Sequence, residues 1–246
     1  MFRGFPPEAI TFLRGLSRNN RREWFQPRKH IYETKVKAPM AELVDALNFE
    51  LRKFAPGYLN DPKKAIYRIY RDTRFSPDKT PYKTQIAASF SRRGMEKHGA
   101  AGYYFAISHK GVDVGGGIYL PPPETLLAVR THIAERHEKF RQLAASHATK
   151  RLFGAVQGEH LARVPKGFCA DHPAADLLRF KQYLLFTTLD AAIVTTPKLF
   201  VELEKRFRAL TPFLEFLNAP LVGKRRLLQP PDLGDGVPQR RGAVRR

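Results

Sequence analysis

The sequence has a single cysteine, Cys169, among its 246 residues. One cysteine excludes an intramolecular disulfide and any zinc or iron–sulfur site that is built on several cysteines. A chain of this length buries most of the surface that it exposes when unfolded, so its core needs neither a disulfide nor a metal. A lone cysteine also fits a reducing compartment, and we expect a cytoplasmic protein.

Long apolar runs are missing as well. The N-terminal stretch MFRGFPPEAITFLRG has no apolar run behind a basic end, so it does not indicate a signal peptide. The most apolar later stretch, YLLFTTLDAAIV, is interrupted by Thr187, Thr188 and Asp190 and is too short to span a bilayer. We therefore expect a soluble protein without a transmembrane segment.

Motifs for common cofactor and metal chemistry are scarce. The chain contains neither a GxxxxGK followed by Ser or Thr nor a glycine-rich dinucleotide fingerprint that opens a helix. Its eight histidines form no HExxH and no Cys/His ligand pattern. Gly115, Gly116 and Gly117 are consecutive in a predicted strand, where we expect a bulge or a bend. The sequence therefore predicts no cofactor and no metal site.

Positive charge is abundant. Lysine and arginine total 43 residues against 23 acidic residues, which gives a formal net charge of +20. Residues 224–246 hold seven basic and two acidic side chains, so about three quarters of the net charge lies in the preceding part of the chain. Such an excess favours acidic partners: nucleic acid, anionic lipid or phosphorylated ligands.

The C-terminal segment 223–246 is rich in Gly, Pro and Arg and has few apolar residues to bury. This composition predicts a basic, disordered tail. The tail is either an arm that binds nucleic acid or a membrane surface, or a solvated extension. The sequence leaves both interpretations open.

Residue periodicity divides the rest of the chain into helical and extended parts. Helical spacing is clearest in MAELVDALNFELRKF and, late in the chain, in KLFVELEKRFRALTPFLEFLN, with a kink or break expected near Pro212. The stretches AIYRIYR, TQIAASFS, GYYFAISHK and GVDVGGGIYL have the composition of strands, and RFKQYLLFTTLD is typical of a short helix followed by a strand. We predict one α+β domain over residues 1–222, with a largely antiparallel sheet over about residues 65–119, flanked by N-terminal and C-terminal helices.

One stretch, YRIYRDTRFSPDKTPYKT at residues 67–84, combines five basic, two acidic and four aromatic side chains. A strand end followed by the turn-forming Ser76-Pro77-Asp78 and Thr80-Pro81 would gather these groups on a loop. Guanidinium groups, lysines and a tyrosine hydroxyl can together hold a phosphate or a carboxylate, and aromatic rings can stack on bases. The candidate ligand-binding residues are Arg68, Arg71, Arg74, Phe75, Lys79, Tyr82 and Lys83.

The two carboxylates of this stretch have competing interpretations. Asp72 and Asp78 have the hard oxygen ligands that Mg²⁺ takes, and in an enzyme either would serve as the acid or base. Because they are surrounded by Arg and Lys, ion pairs within the chain are the more frequent outcome. We therefore keep them as weak catalytic candidates and expect them to be paired.

The same stretch carries a family resemblance. RIYRDTRFSPDKTPYKT resembles the hallmark of the bacterial domain-of-unknown-function family 2461. FPPEAITFLRGLSRNNRREWFQPRKHIYETKVKAPM is similar to the helical opening of that family, GYYFAISHKGVDVGGGIYLPPPETLLAVR to its glycine-rich β segment, and VPKGFCADHPAADLLRFKQYLLF and FRALTPFLEFLNAPL to its later part. The resemblance covers about residues 5–221 and implies an α+β domain. It implies no catalytic role.

Three functions remain as hypotheses. The leading one is a cytoplasmic protein that binds a phosphate-bearing ligand, with nucleic acid as the expected form, through the motif at 67–84. The alternative is an enzyme that acts on a small anionic substrate, with Asp72 or Asp78 as acid or base and the arginines as a clamp. The third is a non-catalytic interaction protein. The sequence does not decide whether the protein is an enzyme.

Overall fold

Helices open the chain, as the periodicity predicts. The computed structural model describes residues 2–95 and 99–226. Helix α1 (Pro7–Arg18) begins at a proline, which lacks the N–H that a first helical position leaves unbonded, and it buries Phe12, Leu13 and Leu16 on one side. A nearly unbroken helical stretch follows: α2 (Arg22–Phe25), a 3₁₀ turn (Gln26–Arg28), α3 (Lys29–Ile31), a π-helical segment (Tyr32–Lys37) and α4 (Ala38–Phe54). A 3₁₀ turn (Pro56–Tyr58) and α5 (Pro62–Ala65) lead into the β region.

Four antiparallel strands form one sheet in the order β1-β2-β3-β4. They are β1 (Gln85–Phe90), β2 (Gly102–Ser108), β3 (Gly111–Ile118) and β4 (Tyr183–Asp190). The α+β prediction is confirmed. The predicted extent of the sheet, residues 65–119, was too short, because the chain returns after four helices to add β4 beside β3.

The predicted strand AIYRIYR is an extended segment that makes isolated pairings only, Ile66 with Ala88 and Tyr70 with Tyr82. Its backbone bonds explain why the ladder is broken. The Tyr67 amide donates to the Ala87 carbonyl at 2.9 Å, whereas the Lys83 amide donates to the Ile69 carbonyl at 2.8 Å. The pairing therefore shifts by two residues between these contacts, and no continuous strand forms.

The two faces of the sheet differ in character. Because successive side chains of a strand point to opposite faces, Phe105 and Val114 lie on one face and Tyr104 and Gly115 on the other. The first face is apolar and packs against the long helix α10 (Lys198–Arg226). The second face carries small, polar and aromatic residues, and the candidate site lies on it.

The remaining helices are α6 (Pro123–Glu135), α7 (His137–Ala144), α8 (His147–Phe153) and α9 (Ala175–Leu178), with a 3₁₀ turn at Ala191–Ile193. Helix α10 is continuous across Pro212, where the sequence predicts a kink or a break, and its backbone extends past the predicted boundary at residue 222. Most of the predicted tail, residues 227–246, lies outside the described residues. Among the helices of the described ranges, none has both the length and the apolar character needed to cross a membrane.

Candidate functional site

The motif at 67–84 forms a hairpin beside β1. Residues 66–71 run antiparallel to residues 81–88, and residues 72–80 join them as a loop. The hairpin directs its aromatic residues to two places. The Tyr67 ring lies 6.2 Å from the ring of Tyr104. Tyr104 is on the second face of the sheet, the one opposite α10, which we call the small-residue face. The Tyr82 ring stacks on Phe25 at 4.1 Å, towards the N-terminal helices.

The small-residue face holds a cleft of about 590 Å³ beside the hairpin. We call it the sheet-face cleft and define it by Tyr67, Lys83, Gln85, Ser89, Tyr104 and Phe186, which line it. Gly102 from β2 and Gly116 and Gly117 from β3 form part of its floor. Glycines in the floor and aromatic rings in the walls make a slot that suits a flat molecule.

Glycine is required in β3 for a structural reason that the sequence did not indicate. Pairing is regular on both sides of β3, so Gly115, Gly116 and Gly117 do not mark the predicted bulge. A Cβ on Gly115 would lie 2.5 Å from the Phe186 ring. A Cβ on Gly116 would lie 3.2 Å from side-chain atoms of α10 on the opposite face. The glycines therefore let a ring and a helix approach the sheet closely.

Lys83 supplies a positive charge to the cleft. Its ammonium lies 5.1 Å from the centre of the Tyr67 ring, in a cation–π contact. Partial burial lowers the pKa of Lys83, and the nearby positive charge of Arg68 lowers it further. An ammonium that has lost part of its water gains more from an anionic partner than a fully solvated one does.

Neutral polar groups complete the lining. Burial raises the pKa of Tyr104 to about 12, with smaller contributions from Tyr67 and Asp113, so its hydroxyl is neutral at physiological pH. The Gln85 amide donates to that hydroxyl at 3.4 Å. The Ser89 hydroxyl oxygen is buried and has no hydrogen-bond partner within the described ranges. Such an orphaned group at the edge of a cleft is available to a ligand.

The loop of the hairpin engages most of its charges internally. The Arg71 guanidinium donates to Asp78 and to Thr80, and Arg74 donates to both oxygens of Asp72 at 2.8 and 3.0 Å. Hydrogen bonds from the Thr80 amide and from Arg71 lower the pKa of Asp78 to about 2.

The carboxyl group of Asp72, like that of Asp78, is held in its ionised form by hydrogen bonds. Hydrogen bonds from Arg74 lower the pKa of Asp72. Both carboxyl groups are therefore ionised and paired at neutral pH, as the charge pattern favours. In that state neither can donate a proton.

The remaining candidate residues are dispersed. Lys79 donates to the Thr73 carbonyl at 3.0 Å, Phe75 is 92% exposed, and Arg68 is exposed at the hairpin edge. Arg71 and Tyr82 line a second, smaller pocket, which we call the tip pocket and define by Arg22, Gln26, Tyr70, Arg71, Thr73 and Tyr82. Of the seven predicted ligand-binding residues, the sheet-face cleft therefore includes Lys83 alone.

Sequence reasoning missed Tyr104, Phe186 and Ser89. The alternation in GYYFAIS places Tyr104 opposite its buried neighbours Tyr103 and Phe105, and this signal was present. Phe186 lies some eighty residues further along the chain, and only the pairing of β4 with β3 brings it to the cleft. Across the described residues, no group of three or more His, Cys, Asp or Glu side chains is arranged to hold a metal ion.

Comparisons with known proteins give a family and no function. Searches of curated proteins and of solved structures found no match. The family model described as "Conserved hypothetical protein (DUF2461)" matches residues 8–216, which include the hairpin, all four strands and most of α10. The match covers most of the chain and agrees with the resemblance seen in the hairpin motif. The chain belongs to the DUF2461 family.

Proposed function

We propose that this protein binds a small ligand with a flat ring and a phosphate or similar anionic group in the sheet-face cleft. The observation that carries the proposal is the partly buried ammonium of Lys83, set beside the rings of Tyr67 and Tyr104 at the rim of a glycine-floored slot. A volume of about 590 Å³ is in the range of ligand pockets in proteins.

Each part of such a ligand has a partner in the cleft. The anionic group pairs with Lys83, and the partial desolvation of the ammonium strengthens that charge-assisted bond. The ring stacks against Tyr67, Tyr104 or Phe186, the last two of which already lie 6.3 Å apart. The orphaned hydroxyl of Ser89 then gains a hydrogen-bond partner. A nucleotide has all of these groups.

Nucleic acid is the second candidate, and the net charge of +20 is the observation that favours it. An open sheet face with aromatic side chains can stack the bases of a single strand. A strand presents a row of phosphates, however, whereas Lys83 is the one cation among the side chains that line the cleft in the described part of the chain. The lining therefore suits one anionic group better than a polymer.

Acid–base catalysis by the loop carboxylates has weaker support. Asp72 and Asp78 do not line the cleft, and each is held by an arginine of its own loop. Neither Arg71 nor Arg74 lines the cleft, so these arginines are poorly placed to clamp a substrate there.

Calorimetric titration tests the proposal. Purine and pyrimidine nucleoside monophosphates are titrated alongside the corresponding uncharged nucleosides and a short single-stranded oligonucleotide. We expect the monophosphates to bind and the nucleosides to bind at least about tenfold more weakly, because they lack the partner of Lys83.

Two lysine variants distinguish binding in the cleft from nonspecific electrostatic attraction to a basic protein. Lys83→Gln removes the charge at the cleft, and Lys79→Gln removes an equal charge from the exposed loop of the same motif. Weaker nucleotide binding in Lys83→Gln alone supports the proposal. Equal losses in both variants, equal affinity for nucleoside and nucleotide, or no binding by the unmodified protein would contradict it. Tight binding of the oligonucleotide alone would favour the second candidate.

A further inference from the structure

We propose that the tip pocket is a separate binding site for a multiply charged oxyanion, of the class of inorganic phosphate, pyrophosphate or a terminal phosphate group. The pocket has a volume of about 380 Å³ and lies between the base of the hairpin loop and the start of the helical stretch 22–54. It does not include Lys83 or any other residue that defines the sheet-face cleft.

Two guanidinium groups meet at this pocket from different parts of the chain. Arg71 uses a single nitrogen, Nη1, to bond both Asp78 and Thr80, and its Nε and Nη2 make no hydrogen bond within the described residues. The side chain of Arg22 is exposed and makes no hydrogen bond or ion pair in that same part of the chain. Two adjacent free nitrogens of a guanidinium have the fork geometry that binds an oxyanion through two parallel bonds.

The groups around the arginines are neutral donors. Tyr70, Thr73, Tyr82 and Gln26 line the pocket, and no acidic side chain of the described residues does so. Asp78 is paired with Arg71, Asp72 is paired with Arg74, and Glu23 acts on Tyr82 through its charge alone. The uncompensated charge of Arg22, together with hydroxyl and amide donors, therefore favours an anion with several oxygens.

The pocket is held rigidly before any ligand binds. Tyr82 is 1% exposed, and its ring stacks on Phe25 with an interplanar angle of 19°. The amide side chain of Asn20 bonds both backbone groups of Tyr82: it accepts from the Tyr82 amide at 3.0 Å and donates to the Tyr82 carbonyl at 2.8 Å. These contacts fasten the hairpin to the segment just before Arg22, so the two arginines need little reorganisation to bind an anion.

Titration with inorganic phosphate and pyrophosphate tests this inference, with chloride held constant. Trp24, the only tryptophan, is two residues from Arg22 in the sequence and provides an intrinsic fluorescence signal. Arg22→Gln removes the free guanidinium, and Arg21→Gln is the matched control because Arg21 is a neighbouring exposed arginine outside the pocket. We expect Arg22→Gln to weaken pyrophosphate binding about tenfold or more and Arg21→Gln to change it less than about twofold.

The cleft variant makes the two proposals distinguishable. Lys83→Gln is expected to leave pyrophosphate binding unchanged, because Lys83 is not part of the tip pocket. Equal losses in Arg21→Gln and Arg22→Gln, or no binding of either anion by the unmodified protein, would overturn the tip-pocket site and leave the cleft proposal standing. Loss of pyrophosphate binding in Lys83→Gln alone would also overturn it, by assigning the anion to the cleft.

Discussion

Lys83 is the residue on which the cleft chemistry depends, and its charge is sensitive to pH. Burial and Arg68 lower its pKa, so the folded protein releases this proton at a lower pH than an ordinary lysine does. We expect nucleotide affinity to fall as pH rises through that lowered pKa, since only the protonated ammonium attracts the phosphate.

Two measurements check this prediction. Carbon-13 NMR of labelled lysine, with Lys83→Gln used to assign the signal, follows the titration directly between about pH 7 and about pH 11. Nucleotide affinity is measured over the same range. A Lys83 that titrates with the other lysines, or an affinity that stays constant while Lys83 loses its proton, would show that the charge of Lys83 does not control binding.

Gly117 is a residue whose replacement tests the close packing of the sheet. Its φ of +140° is one that side chains rarely adopt, and a Cβ there would lie 2.0 Å from the Tyr183 carbonyl oxygen. We expect Gly117→Ala to lower the free energy of unfolding by about 1–3 kcal/mol or more, measured by urea denaturation. Gly57→Ala is the control, because its Cβ would meet only Arg92 at 3.9 Å. We expect it to change stability by less than about 0.5 kcal/mol, and equal effects of the two substitutions would contradict this account.

At the scale of the element, periodicity predicted most helices and strands. Helix α4 was predictable because Leu43, Leu47 and Leu51 recur at helical spacing and are all buried. Residues 66–71 were not, because their composition is that of a strand while their pairing with β1 is broken by a change of register. Composition indicates that a segment can form a strand, whereas the register of its pairing depends on the geometry of the neighbouring strand.

The site was harder to predict than the elements for a related reason. The motif at 67–84 was found, but the position of each side chain depends on the hairpin: Lys83 faces the cleft, whereas Arg74 and Phe75 are in the exposed loop. Internal ion pairs such as Arg71 with Asp78 cannot be distinguished from ligand contacts in a sequence. Groups from distant strands, such as Phe186, become recognisable only when the sheet is assembled.

Helix α10 is tied to the sheet by a buried polar residue, Asn218, which has no exposed surface. Its side chain accepts from the Ala101 amide at 2.8 Å and donates to the Ala101 carbonyl at 2.9 Å and to the Tyr58 hydroxyl at 2.8 Å. We expect Asn218→Leu to destabilise the fold by about 2–4 kcal/mol, because it leaves buried backbone groups without partners. Urea denaturation checks this, with the exposed Lys205→Ala on the same helix as control. A loss no larger than that of the control would mean that other groups satisfy Ala101.

At the scale of the whole molecule, the excess positive charge and the cleft make separate contributions to ligand binding. All residues that define the cleft precede residue 187, and the charges of residues 227–246 lie beyond α10. We expect a chain that ends at residue 226 to bind nucleoside monophosphates with unchanged affinity. Any binding of single-stranded nucleic acid by the full chain should weaken on truncation and show a smaller dependence on salt. Loss of monophosphate binding in the shortened chain would contradict the assignment of that binding to the cleft.

The order of the elements along the chain has a consequence for biosynthesis. Strands β1 to β3 leave the ribosome well before α10, the helix that covers their apolar face. Until α10 emerges, that face has no permanent partner, and contacts between such distant segments form slowly. We therefore expect the sheet to assemble only after α10 has been synthesised, with the nascent chain depending on chaperones during the interval. Ribosomes stalled before residue 198 would then carry a protease-sensitive chain.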